Sequence, residues 1–353
     1  MNERQIGAKV SLAVKYRPKC WEDVTEQSVV KDILENQVRT KTVQSAYLFT
    51  GPSGTGKTTS ARIFANMIND GKGNPIEVDA ASNSGVDNIR QIIEDAKRKP
   101  LDAEYKIFIV DECHSLSDSS WQALLKTLEE PPKFTIFIFC TTNPEKIPAT
   151  ILSRVQRYNF QKISNEGIVD RLNMILEKES DEIDNLSCKL NWEQDALEFI
   201  SKVSSGGMRD AITLLDKCIS LSHDVTLENV LKTIGSEDYS TFITFLSALE
   251  KKEKEISIKV VEDVYNAGKD VKQFMKDFAK FILEVEKYTI YGNFDYVNLP
   301  NTLESNLEQL NSVDLFNVMD FVVSLNNQIK WENDARTLIE LSILIYCGSG
   351  NNE

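Results

Sequence analysis

Residues 51–58 have the residue types and spacing of a phosphate-binding loop. They read GPSGTGKT, which matches GxxxxGK[ST], and they lie between an apolar run and a stretch of helix formers. Glycines let backbone N–H groups curl around phosphates, and the start of the next helix adds positive potential. We expect Lys57 to reach the β- and γ-phosphates and the Thr58 hydroxyl to bind Mg²⁺. The residues of this segment expected at the nucleotide are Gly51, Ser53, Gly54, Thr55, Gly56, Lys57, Thr58 and Thr59.

An acidic pair follows a second apolar run, about 50 residues further along the chain. The segment IFIVDECH places Asp111 and Glu112 at the end of a predicted buried strand. We expect Asp111 to hold Mg²⁺, directly or through water, and Glu112 to orient and polarise the attacking water. Strand ends often carry Asp, so the acidic pair alone is a weak indication of a catalytic site. Together with the phosphate-binding loop upstream it becomes a strong one. His114 completes a DExH pattern. A partly exposed polar residue after the strand is at least as good an interpretation of it as a catalytic role.

Three further polar residues stand at positions suited to sense or stabilise phosphate charge. Thr142 ends the strand FIFCTT and can lie beside Asp111, although a strand-end Thr is more often structural. Arg154 belongs to residues 146–162, which hold four basic residues and no acidic one; it is either part of a solvated basic face or directed at a neighbour's phosphate. Arg209 begins an apolar helix, where its charge opposes the helix dipole, so another interaction is expected to hold it there.

Short apolar runs alternate with helical patterns over the first 160 residues. This alternation predicts βαβ units and a parallel sheet, and runs without polar alternation predict strands covered on both faces. After Phe160 the pattern is helical to the end. We therefore predict an α/β nucleotide-binding domain with a parallel sheet over 1–163, a helical lid over 164–240 and an all-α domain over 241–353.

The composition limits what else the protein can be. The chain has 353 residues and a formal charge of −14, which argues against a protein that coats nucleic acid on its own but allows a local basic strip. The six cysteines form no CxxC pair and only two histidines occur, so we predict no zinc site. Scattered cysteines, no signal peptide and no long apolar segment predict a cytoplasmic protein without membrane contact.

Several longer segments resemble a known family. They are KYRPKCWEDV, GPSGTGKTT, IEVDAAS, IVDECHSLSDSSWQALLKTLEEPP, TTNPEKIPATILSR and GGMRDAITLLD, in this order. Together they are similar to the gamma/tau ATPase subunits of the bacterial DNA polymerase III clamp loader, which are AAA+ proteins. The similarity is strong over residues 8–235, and ALLKTLEEPP is its most specific part. The C-terminal third matches only in length and helical character.

The resemblance implies an AAA+ P-loop domain, a helical lid and an all-α collar that joins subunits into a pentamer. It implies ATP and Mg²⁺ as cofactors, and other clamp loader subunits, a sliding clamp and primer-template DNA as partners. ATP binding would open the clamp, and DNA would trigger hydrolysis. Thr142 would be sensor 1, Arg154 the finger that acts on a neighbour's ATP, and Arg209 sensor 2. Tyr16, Arg17 and Pro18 would lie near the adenine.

The chain departs from the family in four places. Residues 69–75 stand where relatives carry a four-cysteine zinc module, and Val155 stands where the finger motif has Cys. Residues 82–88 lack the basic residues that relatives place there for template contact. The long tau tail is not present in this sequence. A short form without zinc is consistent with a phage or a divergent bacterium, whose location would be the bacterial or host cytoplasm.

Two alternative functions are compatible with parts of the sequence. An AAA+ translocase of the Holliday-junction motor type shares every nucleotide motif, but ALLKTLEEPP and ILSR argue against it. A catalytically silent scaffold like the delta-prime subunit typically has a degraded phosphate loop. Lys57, Thr58, Asp111 and Glu112 are all present, so this alternative ranks last.

Overall fold

The chain divides into two compact units. The computed structural model describes residues 10–182, 189–234, 239–294, 296–300, 303–310, 315–332 and 334–348. Met1–Asn191 and Ile200–His223 form the first unit, and Trp192–Phe199 and Asp224–Glu353 form the second. The side chains predicted to carry the chemistry all lie in the first unit.

A five-stranded parallel sheet forms the centre of the first unit. Its strands are β1 (Ala46–Thr50), β2 (Ile76–Asp79), β3 (Lys106–Asp111), β4 (Thr135–Thr141) and β5 (Gln156–Asn159). Their spatial order is β2-β3-β4-β1-β5. Thr50 pairs with Thr141, and Asp79 pairs with Asp111, so the carboxyl ends of these strands meet at one edge. The segments that follow β1, β3 and β4 therefore begin side by side.

Both faces of the sheet are covered, as the unbroken apolar runs predict. Successive side chains of a strand point to opposite faces, so each strand supplies two cores. Tyr47 and Phe49 pack into one core, while Leu48 packs into the other with Phe137 and Phe139. All residues of β1 and β4 are buried. This burial holds the strand ends, and the loops that leave them, in fixed positions.

The edge strand β5 is not anticipated from the sequence. It reads QRYN, and only Tyr158 is buried. An edge strand is covered on fewer sides, so it needs no apolar run, and its pairing with β1 is visible only in the fold. Through this pairing, residues 156–159 return the chain to the sheet directly after Arg154.

The described helices of the first unit are α1 (Leu12–Lys15), α2 (Ser28–Thr40), α3 (Lys57–Ile68), α4 (Val86–Ala96), α5 (Asp118–Glu129), α6 (Ala149–Leu152), α7 (Asn165–Asp181) and α9 (Met208–Leu221). The helix α8 (Gln194–Val203), between α7 and α9, begins in the second unit and ends in the first. Short 3₁₀ helices cover Trp21–Asp23, Cys113–Ser115 and Pro144–Lys146. Ser117 caps α5 by accepting a hydrogen bond from the Ser120 N–H, and Pro131 follows its end.

The described residues of the second unit are mainly helical. Two short strands, β6 (Asn191–Trp192) and β7 (Asp224–Val225), form a separate two-stranded sheet. The helices are α10 (Leu227–Ile234), α11 (Tyr239–Glu250), α12 (Lys254–Asn266), α13 (Val271–Tyr291), α14 (Glu304–Leu310), α15 (Phe316–Ile329) and α16 (Ala335–Gly348). The apolar faces of α11 to α16 form one core that includes Phe245, Phe278 and Ile339. Amphipathic helices need such a shared core, because packing supplies most of their stability.

Two observations on the described residues bear on membrane and metal binding. No described helix is both long and apolar enough to span a membrane. No group of three or more His, Cys, Asp or Glu side chains in the described ranges is placed to hold a metal ion. Cys20, Cys113, Cys140, Cys218 and Cys347 are free thiols, and Cys188 lies outside the described residues.

Candidate nucleotide-binding and catalytic site

The phosphate loop leaves β1 and leads directly into α3, whose first residue is Lys57. Gly54 has a φ of 73°, a left-handed conformation that a residue with a Cβ rarely adopts. The Thr55 hydroxyl donates to the Pro52 carbonyl at 2.9 Å and braces the turn. The first N–H groups of a helix have no partner within it, so the start of α3 is suited to bind phosphate.

The ammonium group of Lys57 turns back onto its own loop. Nζ donates to the carbonyl oxygens of Gly51 and Pro52, at 2.9 and 2.7 Å. Lys57 is buried, and this burial lowers the pKa of its ammonium group because a charge is poorly solvated there. The carboxylates of Glu112 and Asp111 oppose that shift. A phosphate in the loop would stabilise the charged form further, which suits Lys57 to anion binding.

Thr58 and Asp111 bring two oxygen ligands together at the start of α3. The Thr58 hydroxyl donates to Asp111 Oδ2 at 2.8 Å, and Asp111 Oδ1 accepts from the Glu112 N–H at 3.0 Å. Hydroxyl and carboxylate oxygens are the ligands that Mg²⁺ prefers, with phosphates and water completing its shell. The residues therefore fit the ion that the nucleotide requires.

Glu112 follows β3 and takes a left-handed backbone conformation, with a φ of 46°. A non-glycine residue rarely adopts this angle, and such strained positions occur often at active sites. The Thr142 hydroxyl donates to Glu112 Oε2 at 3.2 Å. Because β3 and β4 are neighbours, the predicted water-activating group and the predicted sensor are in direct contact.

A cavity beside the loop is lined by most of the residues predicted at the nucleotide. These are Tyr16, Arg17, Pro18, Ser53, Gly54, Thr55, Gly56, Lys57, Thr58, Thr59, Asp111, Glu112 and Arg209. Gly51, Thr142 and Arg154 do not line it. Gly51 supplies a carbonyl to Lys57, and Thr142 reaches the cavity only through its bond to Glu112.

The entry segment is held in place at the cavity by α7. The Tyr16 hydroxyl donates to Glu179 at 2.8 Å, and Arg171 donates to the Tyr16 carbonyl at 2.9 Å. Burial, together with the bond to Glu179, raises the pKa of Tyr16 to about 12. Val24 and Ile212 add apolar surface to the same cavity. A flat, largely apolar group such as a purine fits this combination.

The start of α9 lies against the phosphate loop. The Met208 N–H donates to the Gly54 carbonyl at 3.0 Å. A Cβ on Gly54 would lie 2.9 Å from the Gly207 Cα, so two glycines allow the backbones to approach. Arg209 is therefore carried to the cavity, where its guanidinium makes no hydrogen bond or ion pair with another described residue. Its role as sensor 2 stays a prediction.

Arg154 lies apart from this group. Its guanidinium donates to Glu129 Oε1 at 2.6 Å, to the Thr150 carbonyl at 2.5 Å and to Ser153 Oγ at 3.0 Å. It is absent from the lining of the cavity in its own chain. Its action on a neighbour stays a prediction.

Other lining residues were missed by sequence reasoning. Arg62 and Arg171 bring two more guanidiniums to the cavity, and Asp23, Thr25, Ile163 and Met208 complete the lining together with Ala13, Val24 and Ile212. Arg62 stands four residues after Thr58 on α3, so helical spacing from the loop was a usable signal. Arg171 and Ile163 are brought to the cavity by the fold, and no local motif marks them.

Two family models match consecutive parts of the chain. The model described as DNA polymerase III, delta subunit, matches residues 74–164. The model described as DNA polymerase III clamp loader subunit, ATPase lid domain, matches residues 167–224. The second match contains Arg171 and Arg209, which places two cavity residues in a recognised ATPase lid.

Curated relatives cover most of this chain. DNA polymerase III subunit tau of Bacillus subtilis is 34% identical over 358 residues, which cover 94% of this chain and 62% of the relative. DNA polymerase III subunit gamma of Buchnera aphidicola subsp. Baizongia pistaciae is 36% identical over 279 residues, which cover 72% of this chain and 73% of the relative. A third relative is subunit gamma/tau of Mycoplasma genitalium, which is 34% identical over 84% of this chain and 52% of its own length.

Among solved structures, the RuvB Holliday junction branch migration motor of Thermotoga maritima has a similar fold. The TM-score is 0.50 at 19% identity, covering 72% of this chain and 86% of that chain. At this identity the likeness speaks for the fold alone.

The parallel sheet, the phosphate loop and the ATPase lid define an AAA+ P-loop ATPase, and the predicted fold class is confirmed. Within that class, the chain belongs to the DNA polymerase III gamma/tau subunit family. It spans 62% and 52% of the lengths of the Bacillus subtilis and Mycoplasma genitalium relatives.

Proposed function

We propose that this chain is an ATPase subunit of a clamp loader. It uses ATP binding and hydrolysis to open a sliding clamp and to place it on primer-template DNA during replication. Because this reaction takes place on replicating DNA, we propose a cytoplasmic location as well. Family membership supports the proposal, and the complete set of nucleotide-handling side chains in one cavity carries it.

The convergence of Lys57, Asp111 and Glu112 is the observation on which hydrolysis rests. They come from two elements that are distant in sequence, and all three line the cavity. A subunit that served only as a scaffold would not need a lysine, a magnesium ligand and a water-activating carboxylate together. The silent delta-prime-like alternative is therefore not favoured.

Each residue has a proposed part in the reaction. The Lys57 ammonium gives up its hydrogen bonds to the carbonyls of Gly51 and Pro52 and binds phosphate oxygens instead. Hydrogen bonds to these charged acceptors are stronger than those to neutral carbonyls. Mg²⁺, when bound at Thr58 and Asp111, neutralises charge that develops on the phosphates. Glu112 orients a water molecule and takes up its proton.

The arginines supply positive charge from outside the loop. Arg209 is brought to the phosphates by the contact between α9 and Gly54, so the position of the lid and the state of the nucleotide are linked. Arg154 is presented to the nucleotide of a neighbouring subunit. Guanidiniums in this role stabilise the charge of the transferring phosphoryl group.

We also propose the domain division and the assembly that the family resemblance implies. The ATPase domain covers 1–163, the lid 164–240 and the collar 241–353, and collars join subunits into a pentamer. The net charge of −14 disfavours DNA capture by one subunit, so basic strips of several subunits are proposed to act together. No zinc is required for this function.

The rate of ATP hydrolysis tests the proposal. The chain is assembled with its partner subunits, and turnover is measured alone, with primer-template DNA, and with DNA and the cognate clamp. We expect stimulation by primer-template and clamp, and none in Lys57→Ala. Stimulation by a four-way junction, with no response to primer-template, would instead favour a branch-migration motor.

A further inference from the structure

His114 folds back onto the carboxylate of Glu112. It lies on the 3₁₀ turn Cys113–Ser115, directly after the left-handed Glu112, and the Ser115 N–H closes the turn on the Glu112 carbonyl at 2.9 Å. This turn places His114 Nδ1 3.2 Å from Glu112 Oε2. The same nitrogen lies 3.0 Å from the hydroxyl oxygen of Thr141. The histidine side chain is mostly buried, at 19% exposure.

The partners of Nδ1 determine where its proton must be. A carboxylate oxygen only accepts hydrogen bonds, so the contact with Glu112 is favourable only when Nδ1 carries the proton. Thr141 Oγ1 already accepts from the Asn143 N–H at 3.0 Å and has a further lone pair for Nδ1. His114 therefore lies between the end of β4 and the carboxylate, and its contact with Glu112 is favourable when Nδ1 carries the hydrogen.

Two side chains converge on one oxygen of Glu112. Thr142 donates to Oε2 at 3.2 Å, and His114 Nδ1 lies 3.2 Å from the same atom. No hydrogen bond from another described residue reaches Oε1, and Glu112 lines the nucleotide cavity. One oxygen is thus fixed, while the other is available to accept a proton from water.

We propose that His114 is a positioning residue that fixes the Glu112 carboxylate for water activation. This inference rests on the proposed ATP hydrolysis. A glutamate has three side-chain torsions, and Glu112 is 38% exposed, so without its contacts to Thr142 and His114 it would sample several rotamers. A general base acts efficiently only within hydrogen-bond reach of its proton, so loss of orientation lowers turnover.

Substitutions of His114 that place an N–H group near either Nδ1 or Nε2 test this role. His114→Ala should lower kcat by roughly ten- to a hundredfold, which does not exceed the lower end of the contribution of about 10²–10⁴ from a general base, and should leave ATP affinity unchanged. His114→Asn places an amide N–H near the position of Nδ1 and should recover most of the rate. His114→Gln places it near Nε2 and should recover little. His223→Ala is the matched control, because His223 is exposed and is the only other histidine in the chain.

A double variant separates positioning from a merely structural role. In a Glu112→Gln background, His114→Ala should cause no further loss of kcat, because the residue acts through the carboxylate. An additive loss, equal rates in the Asn and Gln variants, or a fall in ATP affinity together with melting temperature would overturn the inference. Full turnover in Glu112→Gln itself would overturn the proposed hydrolysis mechanism first. A loss in Glu112→Gln with none in His114→Ala would overturn only the role of His114.

Discussion

Arg154, two residues after the end of α6, donates a hydrogen bond at 2.6 Å to Glu129, the last residue of α5. The two side chains are 32% and 49% exposed, so solvent screens the pair. An exposed ion pair of this kind contributes about 0–1 kcal/mol to stability. The contact therefore holds Arg154 only weakly, so the proposed release to a neighbouring subunit would cost little.

Arg154→Ala should leave ATP binding by the isolated chain nearly intact and suppress hydrolysis in the assembled complex. Fingers of this type give about 10³–10⁵ in rate in other phosphoryl-transfer systems. A solvated basic residue without that role would cause only a small loss. Turnover in the complex and nucleotide affinity of the isolated chain are the two measurements.

Mixed complexes test whether Arg154 acts on a neighbour. Chains with Arg154→Ala and a working loop are combined with chains that carry Lys57→Ala and an intact Arg154. Partial recovery of hydrolysis requires the arginine to act across the interface, and no recovery in well-assembled mixtures would remove that role. Glu129→Gln serves as the control for the ion pair, and we expect it to retain hydrolysis with a stability change below about 1 kcal/mol.

Lys57→Ala should abolish nucleotide binding or hydrolysis without unfolding the first unit. The substitution removes two hydrogen bonds to loop carbonyls, but it also removes a buried charge. Because the pKa of Lys57 is lowered in the folded chain, its charged ammonium reduces the stability of the fold at neutral pH. This loss of stability disappears only as the pH rises from the lowered pKa to the ordinary pKa of lysine. Circular dichroism and nucleotide binding check the two halves of the prediction. Wild-type turnover would contradict the assignment.

Glu112→Gln should bind ATP and hydrolyse it slowly. The Thr58–Asp111 pair does not depend on the replaced carboxylate, so the magnesium ligands survive while the proton acceptor is lost. In the complex, the variant should remain on an open clamp. Single-turnover hydrolysis and clamp retention are the measurements. A variant that neither binds ATP nor assembles would show that Glu112 is structural.

Gly54→Ala should cost more stability than Gly71→Ala, although both glycines have a φ of 73°. Gly71 has no atom within 4 Å of an added Cβ, so its substitution costs only the left-handed strain of about 1–2 kcal/mol. At Gly54 the Cβ meets the Gly207 backbone at 2.9 Å, which adds about 1–3 kcal/mol. ATP affinity should fall only for Gly54→Ala. Denaturant unfolding and nucleotide binding measure both effects, and equal losses would argue against the contact between the loop and α9.

The candidate site shows which parts were predictable from residues close in sequence. The loop from Gly51 to Thr59 and the pair Asp111–Glu112 carry local patterns, because phosphate binding needs a fixed spacing of glycine, lysine and threonine. Their convergence also follows from sequence, since parallel strands must end at one edge. Thr142 was expected beside Asp111 for this reason, and its hydroxyl donates to the adjacent Glu112.

Other relationships depend on contacts between residues far apart in the chain. The strand β5 has no apolar run, the bond from Met208 to Gly54 joins residues about 150 positions apart, and Arg171 carries no local signal. The turn of His114 onto Glu112 depends on a left-handed backbone angle that a sequence pattern does not specify.

The sequence by itself predicted the nucleotide-binding motifs and the order of α/β and helical regions. The tertiary structure decided which side chains face the cavity and which, like Arg154, pair elsewhere. The physical reason is that motifs and periodicity record local constraints. The approach of distant backbones depends on packing and hydrogen bonds that form only when the chain has folded.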